Sequence, residues 1–206
     1  METLKKIALA VSFAFVAANI QAQSSSVSQA AFSKSYVAET AGNYTSAINE
    51  LKAVYNVSDY TTNIRLGWLS YLAKQYTESI HYYEKAIALK PYAIEARFGC
   101  VKPLSAIESW EKVKANYLQI VKIDPQNVTA NYWLGVIYYN RKDYVNAAKL
   151  FERNVNLYPL DYDSVIMLAW CKLYTSKSAD AKVLFNHALI IRPGDSSATS
   201  GLKMIK

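Results

Sequence analysis

The prolines of this chain recur at a fixed interval. Four of the five prolines follow one another at steps of 34 residues: Pro91, Pro125, Pro159 and Pro193. A large aromatic residue stands eight residues before each of them: Tyr83, Tyr117, Phe151 and Phe185. A smaller residue stands twelve residues before each of them: Ser79, Val113, Ala147 and Ala181. Such a period indicates one supersecondary unit that is repeated along the chain, each copy packing against the next.

The apolar residues inside one period predict two helices joined by a turn. In the fourth copy, apolar residues at helical spacing cover 133–138, a polar break covers 140–143, and a second helical pattern covers 144–151. The proline near the end of each period stops the second helix, because it has no N–H to donate. A small residue such as Ala147 lets neighbouring helices approach, while an aromatic residue such as Phe151 fills the space between them.

Residues 128–161 carry the pattern most completely. They contain Leu134-Gly135, Tyr138, Tyr144, Ala147, Phe151 and Pro159. This set resembles the tetratricopeptide repeat (TPR) family. The copy lacks only the family's opening tryptophan, which is Asn131 here, and its second alanine, which is Asn154. The resemblance implies an all-α chain, a right-handed α-solenoid of about five helix-turn-helix units with a short C-terminal capping helix.

The same register divides the chain. It predicts a TPR domain at 28–206, and this domain is preceded by a predicted signal peptide at 1–22 and a short linker at 23–27. The repeats are expected at about 28–59, 60–93, 94–127, 128–161 and 162–195. The first copy has no proline and lies 32 residues ahead of the next, as terminal repeats are commonly atypical. Residues 196–206, with Leu202 and Ile205 on one face, are expected to form the capping helix over the last repeat.

The third copy departs from the pattern in its first helix. Gly99 and Pro103 both fall inside it. Because a proline removes a backbone hydrogen bond and clashes with the preceding turn, we expect a kink or break between the two residues. Such a feature is either a packing adaptation or a functional hinge.

The first 22 residues have the pattern of a secretory signal peptide. Lys5 and Lys6 precede an apolar run over 7–18, and small residues precede a cleavage position near Ala22-Gln23. The apolar run is shorter than the roughly 20 residues that span a bilayer. No cysteine stands at the cleavage position, which argues against a lipoprotein, and the leader resembles those of Gram-negative bacteria. We therefore expect a periplasmic or secreted protein with no integral membrane span after cleavage.

The charge of the chain bears on its partners. Removing the leader lowers the net charge from +7 to +6, and no run of Lys or Arg exceeds two residues. Because an exported protein rarely meets nucleic acid, the charge favours acidic protein partners or an anionic envelope surface, and we expect no nucleic-acid partner.

Few residues are available for catalysis or metal binding. The two histidines, His81 and His187, lie on second helices of different repeats, and only His81 has flanking glutamates at helical spacing, Glu78 and Glu84. A carboxylate-bridged metal site would need a second such set on a facing helix. The chain has no Gly-rich phosphate loop, zinc-spaced histidine pair or nucleophile elbow. We therefore expect no enzyme activity, no catalytic or metal-binding residue and no cofactor.

The two cysteines are expected to remain unpaired. Cys100 and Cys171 are 71 residues apart, which is two repeats plus three residues. Stacked helices lie about 8–10 Å apart, so this separation exceeds the roughly 7 Å between Cα atoms that a disulfide allows. Two buried free thiols are therefore predicted.

The aromatic content points to a binding surface. Seventeen tyrosines and four tryptophans exceed what a plain core of this size requires. The resemblance implies a concave groove lined by the first helices of the repeats. The predicted groove residues are Ile64, Arg65, Trp68, Tyr71, Phe98, Lys102, Tyr132, Val136, Tyr139, Trp170 and Tyr174. All of them except Arg65 stand at the register positions that the resemblance assigns to the groove. Arg65 and Lys102 are expected to be available for an acidic group of the partner.

The groove differs from the family's carboxylate clamp for chaperone C-termini. The Lys and Asn positions of that clamp are Ile64, Trp68, Phe98 and Lys102 here. The groove therefore favours an apolar or aromatic segment of a partner, extended or helical.

Three functions remain open. The first is a non-catalytic scaffold in the bacterial envelope that binds a peptide or helix of another protein in the aromatic groove. The second is a self-associating component of an envelope assembly, in which a neighbouring copy fills the groove. The third is glycan binding, in which Trp68, Tyr71 and Trp170 would stack on sugar rings. The sequence lacks the cluster of carboxamide and carboxylate side chains that is expected beside such stacking residues.

Overall fold

The computed structural model describes residues 25–205, and within them the chain is helical with no strand. The chain divides into two compact units, Met1–Ile107 and Glu108–Lys206. The predicted signal peptide and the start of the predicted linker lie outside the described residues. The all-α, helix-turn-helix architecture predicted from the sequence is confirmed.

The first unit contains five of the described helices. α1 covers residues 25–40. The following helices are α2 (Tyr44–Lys52), α3 (Tyr60–Leu72), α4 (Tyr76–Leu89) and α5 (Glu95–Ala106). α3 packs against α2, α4 and α5, and α4 packs against α5. Their shared core includes Ala47, Ile48, Leu51, Leu66, Leu69 and Tyr82.

The second unit contains six helices. They are α6 (Trp110–Ile123), α7 (Val128–Asn140), α8 (Tyr144–Leu157), α9 (Tyr162–Tyr174), α10 (Ser178–Ile191) and α11 (Ser196–Met204). Each packs against the next in sequence, and α11 also contacts α9. α11 is the predicted capping helix: Ala198 is fully buried, and Leu202 and Ile205 pack against the core of α9 and α10.

The turns inside the helix pairs share one backbone conformation. A residue with positive φ occurs in each of them: Gly42, Lys74, Glu108, Lys142 and Ser176. In the turn after α7, Lys142 has φ of 62°, and the next amide, of Asp143, donates to the Tyr138 carbonyl at 3.0 Å. This hydrogen bond closes the helix end and satisfies a carbonyl that the helix leaves free. The polar break predicted from the sequence is therefore a turn that ends the helix with one residue in the left-handed conformation.

Buried polar residues replace the family's opening tryptophan. Asn63 and Asn131 stand at that position, and each Nδ2 donates to the carbonyl six residues earlier, of Val57 at 2.9 Å and Pro125 at 3.0 Å. Both side chains are fully buried. The two amides thus tie the starts of α3 and α7 to the loops before them.

The recurring aromatic residue packs against helix backbone. The ring of Tyr83 on α4 lies between two glycines, where an added Cβ would come within 3.0 Å of it at Gly67 and within 2.2 Å at Gly99. Phe151 lies in the same way against Gly135, and Phe185 against Gly201. The absence of a side chain at these glycines therefore makes room for the large ring between repeats.

The predicted helix break in the third copy is wrong. α5 runs without interruption through Gly99 and through Pro103, which is buried. At Gly99 an added Cβ would come within 2.2 Å of the Tyr83 ring, so the packing of that ring accounts for the glycine. The packing adaptation, and not a hinge, is the interpretation that the structure supports.

Neither cysteine forms a disulfide and both are buried, as predicted. Cys171 is fully buried in the core beside Ala147, Phe151 and Leu168. Burial raises the pKa of its thiol to about 12, more than the neighbouring Lys172 lowers it.

Candidate functional site

Six of the predicted groove residues fall into two aromatic patches, one in each unit. The first, here called the Trp68 patch, consists of Trp68 and Tyr71 on α3 and Lys102 on α5. The rings of Trp68 and Tyr71 are 5.8 Å apart, and Lys102 Nζ lies 5.7 Å from the Trp68 ring. Trp68 and Tyr71 are half-buried and Lys102 is exposed. These three predicted residues are brought together.

Trp68 is held in place by a carboxylate from the N-terminal helix. Its Nε1 donates to Glu39 Oε1 at 2.6 Å. An indole fixed at its polar edge presents its ring with little loss of side-chain entropy on binding. The same geometry makes Trp68 partly a structural residue, because it joins α3 to α1.

Arg65 is not available to a partner, so the prediction that it waits for an acidic group is wrong. It is only 8% exposed and forms an ion pair with Glu39. Its guanidinium also lies 3.7 Å from the centre of the Tyr36 ring. An arginine that is buried must have its charge matched inside the fold, and Glu39 supplies that charge.

Glu39 and Tyr36 were missed in the sequence. Tyr36 stands at position 9 and Glu39 at position 12 of the repeat that begins at residue 28, two of the positions that the TPR resemblance assigns to the groove. Applying the register to the first copy would have found them. Burial works to raise the pKa of Glu39, but hydrogen bonds from Arg65 and Trp68 and the charge of Arg65 outweigh it, so the pKa is lowered.

The second patch, here called the Tyr174 patch, consists of Tyr139 on α7, Tyr144 on α8, and Trp170 and Tyr174 on α9. Tyr144 and Tyr174 stack with ring centres 4.7 Å apart, and Trp170 stacks on Tyr174 at 5.7 Å. Tyr139 meets Tyr144 edge to face at 5.3 Å. Burial and a hydrogen bond with Tyr174 raise the pKa of Tyr139. Tyr144 lies on a second helix and was not predicted.

The members of the Tyr174 patch differ in exposure. Tyr174 is 45% exposed. Trp170 is half-buried, because its Nε1 donates to Ser197 Oγ at 2.9 Å and its ring packs edge-on against Phe185 at 5.1 Å. Trp170 therefore also anchors α11, and Tyr174 is the member that offers the freest ring to a partner.

The remaining predicted residues contribute mainly to packing. Tyr132 meets Phe151 edge to face at 5.8 Å, and Val136 packs against the core that contains Phe151. Ile64 and Phe98 are half-buried on α3 and α5. Among the predicted aromatic groove residues, only Tyr174 is therefore exposed, and the others are half-buried.

An apolar pocket that the sequence did not suggest opens beside the turn between α8 and α9. Leu160, at its rim, is 73% exposed. The pocket is lined by Val128, Leu157, Tyr158, Pro159, Leu160 and Asp161. Its signal in the sequence is the apolar run that surrounds Pro159.

The described residues contain no group of three or more His, Cys, Asp or Glu side chains placed to hold a metal ion. His81 is exposed on α4. None of the helices over residues 25–205 has the length and apolar character needed to cross a membrane.

The repeated helix pairs, the glycine-seated rings and the left-handed turns define a helical-repeat protein. Two family models described as tetratricopeptide repeat match residues 60–92 and 104–161. The chain is a tetratricopeptide repeat protein. No curated protein matches the chain in sequence.

Solved structures share the fold. A tetratricopeptide repeat protein from Parabacteroides merdae ATCC 43184 is 19% identical with a TM-score of 0.72, over 85% of this chain and 71% of that one. YrrB, described as a TPR protein with an unusual peptide-binding site, is 15% identical with a TM-score of 0.66, over 82% and 89%. MamA from Desulfovibrio magneticus RS-1 is 18% identical with a TM-score of 0.66, over 82% and 98%. At these identities the likeness shows the fold alone.

Proposed function

We propose that this protein is a non-catalytic scaffold of the bacterial envelope that binds a peptide or helical segment of a partner protein on its aromatic patches. The observation that carries the proposal is that aromatic rings on the first helices of the repeats remain partly exposed to solvent in the folded protein. Tyr71 and Trp68 remain half-exposed beside Lys102, and Tyr174 is 45% exposed at the edge of a stacked cluster. Tyrosine and tryptophan are frequent anchors of protein interfaces.

The fold supports a scaffold over an enzyme. TPR proteins are generally non-catalytic scaffolds, and YrrB, which shares the fold, is described as having a peptide-binding site. The patches here hold aromatic rings, hydroxyls and one exposed lysine, which provide contact area and orientation for a segment. No nucleic acid and no cofactor is part of the proposal.

The binding test uses tyrosines, because Trp68 and Trp170 also hold helices together. Tyr71→Ala combined with Tyr174→Ala is expected to weaken capture of the partner at least about tenfold, since each removes one anchor. Tyr92→Ala is the matched control, because Tyr92 is 84% exposed and lies in the turn between α4 and α5. Capture from an envelope extract that is equal for the double variant and the control would contradict the proposal.

The alternative function is self-association, in which a second copy of this protein occupies the same patches. Light scattering of the wild type over a hundredfold range of concentration separates the two functions. A monomer that loses its partner in the double variant supports the scaffold. A dimer that becomes monomeric in the double variant means that a second copy fills the patches.

The envelope location is carried by the leader pattern of residues 1–22. Expression of the full chain in a Gram-negative host, followed by osmotic shock and intact-mass measurement, tests it. We expect release with the periplasmic fraction and a mass that begins at Gln23. Retention in the cytoplasm at full length would contradict export. The binding proposal would then be decided by the capture experiment alone.

A further inference from the structure

Lys102 is the exposed charge of the Trp68 patch. Its Nζ lies 5.7 Å from the Trp68 ring, close enough for a cation–π contact, and its side chain remains in solvent. Tyr71 continues the aromatic surface on the other side of Trp68 at 5.8 Å. A segment that lies on these rings would therefore have Lys102 beside it.

The nearby carboxylates are already engaged. Glu39 accepts hydrogen bonds from Arg65 and Trp68. Glu95, which stands two helical turns before Lys102 on α5, accepts a hydrogen bond from the Tyr60 hydroxyl at 2.7 Å. Within the described part of the chain, Lys102 forms no ion pair. The net charge of the whole chain, +7, has the same sign.

We infer that the Trp68 patch selects a partner segment in which an acidic side chain lies next to an aromatic or large apolar one. The apolar group covers Trp68 and Tyr71, and the carboxylate pairs with Lys102. The pairing complements the single free charge of the patch, and partial desolvation against the rings strengthens it. This inference rests on the proposed function and specifies the chemistry of its ligand.

The test selects twelve-residue peptides from a random phage-displayed library on the immobilised full chain. Parallel selections use Lys102→Gln, Lys102→Glu and the control Lys52→Gln, which removes an equal charge from the exposed last turn of α2. Binding of the selected peptides to Tyr71→Ala identifies those that occupy the patch. The strongest peptide is then titrated against each variant.

We expect Asp or Glu beside an aromatic or apolar residue among peptides that require Tyr71. The enrichment should be lost with Lys102→Gln, replaced by Lys or Arg with Lys102→Glu, and kept with Lys52→Gln. The affinity of the strongest acidic peptide should fall about three- to fivefold with Lys102→Gln, as an exposed charge pair allows.

Three results would overturn the inference. Peptides that require Tyr71 but show no acidic enrichment would disprove the charge preference while leaving the scaffold function intact. If acidic peptides are enriched as strongly on Lys102→Gln as on Lys52→Gln, the enrichment comes from the overall positive charge of the protein and not from Lys102. If no selected peptide depends on Tyr71, the inference fails, and the double variant Tyr71→Ala with Tyr174→Ala then decides whether the proposed function fails with it.

Discussion

The ring of Tyr83 occupies the space in which a side chain at residue 99 would lie. A Cβ on Gly99 would come within 2.2 Å of Tyr83 Cε1 and within 2.5 Å of Cζ. Because Tyr83 is buried between α3 and α5, the ring has no room to move aside. The second and third repeats therefore pack together through the contact between the Tyr83 ring and the helix backbone at Gly99.

Gly99→Ala is expected to destabilise the protein by about 1–3 kcal/mol, the usual cost of overpacking a core. The sign is informative, because the same change inside an exposed helix stabilises by about 1 kcal/mol. The measurement is the free energy of unfolding in urea, followed by circular dichroism. In a double-mutant cycle with Tyr83→Leu, the cost of Gly99→Ala should shrink, whereas equal costs in both backgrounds would mean that the ring is not its cause.

A second prediction concerns the left-handed turns. Gly42 has φ of 73° with open space around it, so Gly42→Ala should cost about 1–2 kcal/mol through backbone strain alone. At Lys142, where φ is 62°, the reverse change Lys142→Gly should stabilise or be neutral. Thermal unfolding of both variants checks this. A stabilising Gly42→Ala would contradict the turn conformation.

These two features show what the sequence could and could not predict. The 34-residue register correctly predicted the helix pairs, because they rest on a pattern that four copies repeat, and the apolar face formed by Leu202 and Ile205 correctly predicted the capping helix. It failed at Gly99, where general rules for glycine and proline inside a helix favoured a break. The outcome depended on a ring 16 positions earlier in the sequence, on another helix, and local rules do not contain that contact.

The candidate site was predictable to a lesser degree. Register placed Trp68, Tyr71, Lys102, Tyr139, Trp170 and Tyr174 on first helices, and the structure groups them into the two patches. It could not tell an exposed ring from one that packs, as Tyr132 does against Phe151. It also could not anticipate that Arg65 has an internal partner, since Glu39 lies 26 residues away in the least regular copy.

A third prediction follows from the Glu39–Arg65 pair. Glu39→Gln is expected to reduce the free energy of unfolding at pH 7 by about 2 kcal/mol, because a charged hydrogen bond is lost and Arg65 stays buried. The folded pKa of Glu39 lies below its ordinary value of 4.5. A lowered folded pKa means that the stabilisation is present above pH 4.5 and is lost as the pH falls through the folded pKa.

Urea unfolding of wild type and Glu39→Gln between pH 7 and pH 3 measures this dependence. The difference between the two proteins should be largest at neutral pH and shrink in acid. Asp180→Asn is a suitable control, because Asp180 is an exposed first-turn residue of α10 in the other unit. A difference that stays constant down to pH 3 would show that the charge of Glu39 does not contribute.

The last prediction concerns the two thiols. Cys171 is fully buried and its pKa is raised to about 12, so at pH 8 only about one thiol in ten thousand is ionised. Thiolate is the species that alkylating reagents attack, and Cys100 is buried as well. We expect no iodoacetamide adduct on the native protein at pH 8 and two adducts after unfolding in guanidinium, as measured by intact mass. An adduct formed on the folded protein as fast as on a free cysteine would contradict the burial of that thiol. A native mass two daltons below that of the fully reduced protein, with adducts appearing only after reduction, would instead reveal a disulfide and contradict the prediction that both cysteines are reduced.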